Sequence, residues 1–475
     1  MVSAGKRLLV LGLVSVVVFV AGGCATSSTS GAFKSYADSF NKARPSMGSN
    51  DMTVIDSIYA KDAARRDGQG MLANWELAAA DEAVGRWAES RDHFLLADAI
   101  ARDLESKAVV SGSDVAKTAG SLLTNDNTIE FKGDAYEKVM AHTLNALNYI
   151  ALGDLTGARV EVRKADEYQQ LELEKHAKAL QAAEQKDSQA DQQRPATSEL
   201  TEELGKMDSF TAGVKNSFQN SFTYFLSGLV YEMNGEADDA LIDYRKALEL
   251  TPECDPIRES VQRLSGAEPN VAAPAADQGE VVIIYEEGLV PEKQEVKFPV
   301  PLPWGSISYT AFPVYTDFTP TAERLEVSIA GRSVETEPLI DMHVLAVKAL
   351  KEKWVGITAR EIARVVAKET AQRETAKQAQ KQGGVGAELV ANLFGLIYKA
   401  ASTRADLRAF YGLPDEVQVA RVVMPVGQYD VRLRRVNAQA QALEKDVQLT
   451  VVAGNKTIVV VRGLQTTINS FSIGG

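Results

Sequence analysis

The sequence predicts a multidomain chain of mixed class, α joined to α/β, in which an N-terminal α-helical solenoid of repeats precedes a mixed β-rich domain with inserted helices. Three observations carry this. Residues 33 to 265 are rich in Ala, Leu, Glu, Lys and Gln at helical spacing and hold almost no strand signal. A glycine-anchored pattern recurs along that stretch. After Leu264 the composition changes, and short Val- and Ile-rich runs take over.

The first residues follow the plan of an export signal. Lys6 and Arg7 supply a positive start, and Leu8 to Val20 is an apolar run broken only by Gly12 and Ser15. That run is short of the roughly 20 apolar residues needed to span a bilayer. Ala21-Gly22-Gly23-Cys24 then resembles a lipobox, with Ala21 where a bulkier residue is usual. Cleavage before Cys24 and lipid on its thiol are the expectation, with a small polar tether behind it. Ala25, rather than Asp, points to the outer membrane. The chain has two cysteines, so lipidation of Cys24 would leave Cys254 without a disulfide partner. Cys254, just past a helix and with no histidine motif beside it, reads as a stray thiol.

The 475 residues suffice for two to four domains, and 51 basic against 64 acidic side chains give a net charge of −13. An acidic surface of this kind repels nucleic acid and anionic headgroups, so no nucleic-acid partner is expected.

Three segments align on Gly85, Gly153 and Gly235, each placed in a helix-to-helix turn. Ser90, Ala158 and Ala240 follow in register, then Phe94, Val162 and Tyr244, then Ala97, Ala165 and Ala247. The third copy is fullest, with Tyr224, Gly228, Tyr231, Gly235, Ala240, Tyr244, Ala247 and Pro252. This resembles the tetratricopeptide repeat, in which small residues let paired helices approach and aromatic ones fill the gap between pairs. Gly85 and Gly153 stand two periods of about 34 residues apart, and Gly112 marks a degenerate repeat between them. The resemblance implies a curved protein-binding surface, which in the third repeat would include Phe225, Leu229 and Glu232. The same spacing also suits plain core.

The boundaries are a signal peptide over 1–23, a lipid anchor and tether over 24–45, helical repeats over 46–264, a linker over 265–279 and a mixed α/β domain over 280–475. Lys175 to Glu203, rich in Gln, Ala, Lys and Asp, predicts a helix extension and a mobile insertion at about 175–205. In the C-terminal half, strands are expected at Val281 to Tyr285, Glu295 to Phe298, Ile307 to Ala311, Leu325 to Ile329, Val417 to Val423, Gly427 to Leu433, Val447 to Val452 and Thr457 to Val461. Prolines between Phe298 and Trp304 confine that segment to an edge. Pro425 to Val431 and the turn at Asn455 read as hairpins of a small sandwich. Helices are expected over Asp341 to Lys353 and Thr358 to Gln380, ended by Gly383-Gly384-Val385-Gly386, with an apolar buried helix at Leu389 to Ala401. The second carries Arg360, Arg364, Lys368, Arg373, Lys377 and Lys381; such a run usually marks a solvated face.

No catalytic constellation emerges. The four histidines, His93, His142, His176 and His343, lack metal-ligand spacing, and no G-x-S-x-G elbow is present. Glu286 and Glu287 are adjacent on a strand, so they point to opposite faces. Asp406 and Arg408 suit a structural ion pair. No cofactor is expected.

The order of a lipobox, Tyr136-Glu137-Lys138, Leu147-Asn148-Tyr149, Gly157-Ala158-Arg159-Val160-Glu161, Phe222 to Gly228, Tyr285-Glu286-x-Gly288 and Asp406-x-Arg408 to Pro414 resembles a family of uncharacterised, tetratricopeptide-like lipoproteins of Gram-negative bacteria. Members look like gene neighbours of an outer-membrane lipoprotein activator of penicillin-binding proteins. The resemblance implies a non-enzymatic lipoprotein on the periplasmic side of the outer membrane, holding protein partners of the cell envelope as a scaffold. A subunit of a secretion or polymer-export machine and an envelope hydrolase are the competing expectations.

Overall fold

The computed structural model describes residues 36–111, 126–184, 198–266, 274–319, 323–436, 442–464 and 466–473. Cys24 and its tether therefore lie outside the described residues, as do Gly112 and residues 185–197 of the expected insertion. The chain is mixed: helices in the N-terminal part, then mixed sheets.

The helices are α1 (Tyr36–Gly48), α2 (Met52–Ala63), α3 (Gly68–Ala83), α4 (Trp87–Ser111), α5 (Ala135–Ala151), α6 (Leu155–Glu184), α7 (Ser198–Phe210), α8 (Ser221–Met233), α9 (Ala237–Leu250) and α10 (Asp255–Ser265). Three consecutive pairs, α3/α4, α5/α6 and α8/α9, pack as hairpins, with α5 against α4 and α8 against α6. Each hairpin turns on one of the aligned glycines: Gly85, Gly153 and Gly235 have φ of +77°, +75° and +77°, a conformation nearly closed to L side chains. The residues aligned behind them, Ser90, Ala158, Ala240, Phe94, Val162, Tyr244, Ala97, Ala165 and Ala247, are all buried. Gly228 has a separate reason: a Cβ there would sit 2.8 Å from the Tyr244 ring, so its smallness sets the α8/α9 spacing. The helix extension appears as the C-terminal part of α6.

The strands form a five-stranded sheet, a four-stranded sheet and a two-stranded ribbon. The first holds β1 (Gln278–Glu287), β6 (Glu337–Asp341), β7 (Glu416–Pro425), β10 (Lys456–Gly463) and β11 (Ile468–Ile473) in the order β11-β10-β1-β7-β6. β1 runs parallel to β10 and antiparallel to β7. The second holds β4 (Leu325–Ile329), β5 (Arg332–Glu335), β8 (Gly427–Val436) and β9 (Ala442–Val451) in the order β5-β4-β8-β9. Among the described residues β2 (Gln294–Pro301) and β3 (Ile307–Val314) pair only with each other, which tolerates Pro299 and Pro301.

The Val281-Val282-Ile283-Ile284-Tyr285 run is apolar throughout because both faces of its sheet are covered. Val282 and Ile284 join the helices in one core, with Val417, Val419, Ile458 and Val460. Val281, Ile283 and Tyr285 face the four-stranded sheet, against Leu325, Val327, Leu433 and Val451. The result is three layers, helices, sheet and sheet, and a hydrophobic core that runs from Met71 to Ile473 across the 265–279 segment.

Two expected hairpins are not formed. β7 and β8 flank Val426 yet belong to different sheets, and so do β9 and β10 around Asn455. Pro425 has no N–H with which to extend a ladder, so the chain crosses layers there instead of folding back.

Helical backbone runs from Met342 to Ser402 (α11), so Thr358 opens no new helix. The expected gap between Lys353 and Thr358 is closed. A straight helix would place Thr403 about 58 Å from Arg364. Thr403 instead lines one small cavity with Glu361, Arg364 and Lys368, so α11 reverses direction along its length. The helix does not end at Gly383-Gly384-Val385-Gly386, where the glycines predict a break: helical backbone continues through these residues. The side chains of Leu389 to Ala401 lie outside the described residues.

Candidate functional site

Phe225, Leu229 and Glu232 do not lie on an open face. Phe225 and Leu229 are fully buried, and Glu232 is held where α8 meets the five-stranded sheet. Its carboxylate pairs with Arg263 at 2.5 Å, Lys456 at 2.8 Å and Arg421 at 3.5 Å, and accepts from the Tyr244 hydroxyl at 3.0 Å. Arg421 also pairs with Glu280 at 2.7 Å and lies over the Phe225 and Tyr244 rings. Burial opposes charge on Glu232, but the three cations outweigh it and bring the carboxyl down to about 2. The surface that these residues line is occupied by the protein's own sheet.

A second junction is built by Arg404 to Asp415, which threads between the helices and the sheets without regular structure. Tyr411 N donates to Glu76 Oε1 at 2.9 Å, and Phe410 N donates to Glu137 Oε1 at 2.7 Å. Phe410 stacks on Trp75, while Tyr411 packs against Tyr36 and Phe40. A Cβ on Gly412 would meet Glu76 Oε2 at 2.8 Å and Ala79 at 3.0 Å. Burial lifts Glu76 to about 8 and Glu137 to about 7. Asp406 and Arg408 form the expected ion pair at 2.7 Å, and Arg408 also donates to the carbonyls of Asp126 and Ile129.

Beside this segment opens a cleft of about 300 Å³. Its floor and rim come from the 126–134 loop, Lys293 before β2, the first half of α11 (Lys353, Ile357, Arg360, Glu361) and Ala405, Asp406 and Arg408. Charges converge, and most are paired. Lys353 pairs with Asp134, Arg360 and Arg364 with Asp126 at 3.2 and 2.6 Å, and Arg364 with Glu361. Thus the first half of the basic run on α11 is not a solvated face: Arg364 is fully buried and Lys368 nearly so. Farther out, Lys377 is exposed beside Glu374, and Arg373 lies over the Trp304 ring. Two cationic groups in the cleft differ from the rest. Lys293 donates only to the Arg408 carbonyl, at 3.2 Å, and Lys132 on the exposed rim forms no ion pair among the described residues.

The remaining candidates are structural. His142 Nδ1 lies 2.7 Å from Glu161 Oε2 and its ring stacks on Tyr168. Burial raises the Cys254 thiol to about 12. Glu286 and Glu287 do face opposite ways: Glu286 lies near Arg462, at 3.9 Å, and Glu287 pairs with Arg435. Among the described residues no group of His, Cys, Asp and Glu is arranged to hold a metal ion, and no helix is long and apolar enough to cross a membrane. Lys132 and Lys293 escaped sequence reading because each is a single lysine in a loop, with no motif around it.

No family model matches the chain, and no curated protein or solved structure resembles it significantly.

Proposed function

We propose that the protein is a lipid-anchored, non-catalytic binding protein of the bacterial cell envelope. Lipid on Cys24 holds it at the periplasmic face of the outer membrane, and its body holds a protein partner as a scaffold. The three stacked hairpins, each turning on a left-handed glycine, support a tetratricopeptide-like reading of the helical part. The observation that carries the binding role is the cleft, a preformed concave site with fixed polar groups and an apolar wall. The partner contact is assigned there, and not to Phe225, Leu229 and Glu232, which the sheet covers.

Two measurements test this in the native host. Radiolabelled palmitate should enter the protein and be lost with Cys24→Ala. A photo-crosslinking residue at Lys132 should capture a discrete envelope protein, while one at Arg432, exposed on the outer sheet, should not. Labelling that survives Cys24→Ala would remove the anchor, and equal capture at the two positions would remove the cleft as the binding site.

A further inference from the structure

We infer that the cleft recognises a carboxylate on an apolar stem, and that the free C-terminal end of a partner polypeptide is what supplies it. The inference rests on the binding role proposed above and names what that site would read.

Once the ion pairs of the cleft are formed, two ammonium groups are left over, those of Lys293 and Lys132, against one carboxylate outside those pairs, Glu130. Glu130 is itself engaged, accepting from the Gly68 backbone N–H. Arg408 adds a directional donor. Its Nε and Nη2 are used on Asp406, Asp126 and Ile129, and its Nη1 bonds to no described residue. Lysine ammonium carries three donors and guanidinium five, so N–H groups among the lining residues are left unused by the described residues. Among the described residues no carboxylate forms an ion pair with Lys293, though Glu137 and Asp406 lie within reach of its charge, and spare donors of this kind favour an incoming anion.

The Arg408 guanidinium and the backbone that carries the two lysines are held in place. Lys293 N donates to the Tyr411 hydroxyl at 3.1 Å. The Arg408 guanidinium lies over the Phe131 ring at 5.4 Å. Beside Lys132, Gly133 takes φ +70° with the Trp75 ring where a Cβ would stand. A site whose donors are already held pays little ordering entropy on binding.

The walls choose the anion. Asp134, Asp406 and Glu361 remain in the lining even though they are paired, so the local field is only mildly positive. A monoanion suits it, whereas a phosphate dianion would meet these carboxylates as well. Ile129, Pro313, Leu350 and Ile357 supply apolar contact for a stem. At about 300 Å³ the cleft lies at the small end of ligand sites. That suits the last one or two residues of a chain, not a folded surface.

The test uses the purified mature chain and fluorescein-labelled Gly-Ala-Leu, as the free acid and as the C-terminal amide, read by anisotropy. The free acid should bind at least tenfold more tightly than the amide. Lys293→Met should weaken the free acid about tenfold to a hundredfold, the range of a charged hydrogen bond, and leave the amide unchanged. Lys132→Met, on an exposed side chain, should give a smaller loss in the same direction, and an unchanged melting temperature keeps it informative if Lys293→Met folds poorly. Equal binding of acid and amide, both weakened by these variants, would overturn carboxylate recognition while leaving the cleft a binding site. No binding of either peptide would overturn this inference; photo-crosslinking at Lys132 then judges the binding role separately. If 4-methylpentanoate displaces the peptide at equal concentration, a free small acid replaces the chain end as the source, and that part of the inference falls.

Discussion

Two polar junctions tie the helices to the rest of the chain, one against the five-stranded sheet and one against the 404–415 segment, and they solve burial in opposite ways. At the first, Glu232 and Glu280 lie among Arg421, Lys456 and Arg263. At the second, Glu76 and Glu137 meet backbone N–H groups and tyrosine hydroxyls. The first junction keeps its carboxylates charged and drives their titration down. The second offers dipoles at Glu76 and, at Glu137, the charge of Lys293 beside them, and burial still drives titration up. Nearby, Glu82 and Glu286 share one buried site with Arg462; burial raises both, and the charge of Glu286 adds to the rise at Glu82. A buried acid is set by how many cations face it: Glu232, with three, is driven down to about 2, while Glu287, with Arg435 alone, is still pushed up to about 8.

The largest effect should come from breaking the first junction. Arg421→Ala strands Glu232 and Glu280 in a buried site. The loss of one partner of a buried pair costs about 3–5 kcal/mol. Urea denaturation should show a lower midpoint with an unchanged slope. A midpoint within error of the parent would mean that Lys456 and Arg263 alone hold the junction.

The contrast also predicts how stability follows pH. At the second junction the folded carboxyls titrate above their ordinary value of 4.5, Glu76 at about 8 and Glu137 at about 7. Their contribution is full below about 4.5 and is lost as pH rises through 7 to 8. Glu232 behaves in reverse: its folded value of about 2 makes its contribution full above 4.5 and lost as pH falls toward 2. The melting temperature should therefore be higher at pH 5.5 than at pH 8.5, and should fall again at pH 3. Glu76→Gln should make the alkaline side shallower, with Glu137 and Glu287 keeping the remainder, and leave the acid side as it is. A parent curve already flat from 5.5 to 8.5 would show that the second junction carries no buried proton.

Much of the local structure was legible in the sequence, and the junctions were not. The aligned glycines located three helix turns because a left-handed turn needs glycine whatever surrounds it. β1 and β4 were legible from their β-branched runs. By contrast, Glu76 and Glu137 sit in helices α3 and α5, where a glutamate ordinarily faces water. Their partners, Tyr411 and Phe410, stand 335 and 273 residues away, so nothing local marks them as buried. Arg364 misled in a similar way: besides the local Glu361, its second acid, Asp126, is 238 residues distant. Which sheet β8 and β10 would join was equally hidden, because a turn reads alike whether the chain folds back or crosses to another layer. β11 is short, polar on one side and at the sheet edge, so it left no clear signal.

A smaller effect tests the α8/α9 packing that the first junction rests on. Gly228→Ala places a methyl 2.8 Å from the Tyr244 ring, and Tyr244 is the residue whose hydroxyl reaches Glu232. Overpacking of this size costs about 1–3 kcal/mol. Because Tyr244 would be pushed toward Arg421, the double variant Gly228→Ala with Arg421→Ala should lose less than the sum of the single losses. Strict additivity would mean that helix spacing and the ion network are independent.

The smallest effect is expected at Cys254, which carries the logic of the second junction into a thiol. It caps the start of α10, buried, with its pKa raised to about 12 chiefly by loss of water. Only the thiolate attacks a disulfide reagent, so burial and protonation both protect it. In a Cys24→Ala chain, where Cys254 is the sole thiol, a disulfide reagent such as dithionitrobenzoate at pH 8 should release no thionitrobenzoate from the folded protein. It should release one equivalent in denaturant. Fast reaction in the folded state would place Cys254 at the surface of the helix–sheet boundary and would argue that this edge of the boundary opens in solution.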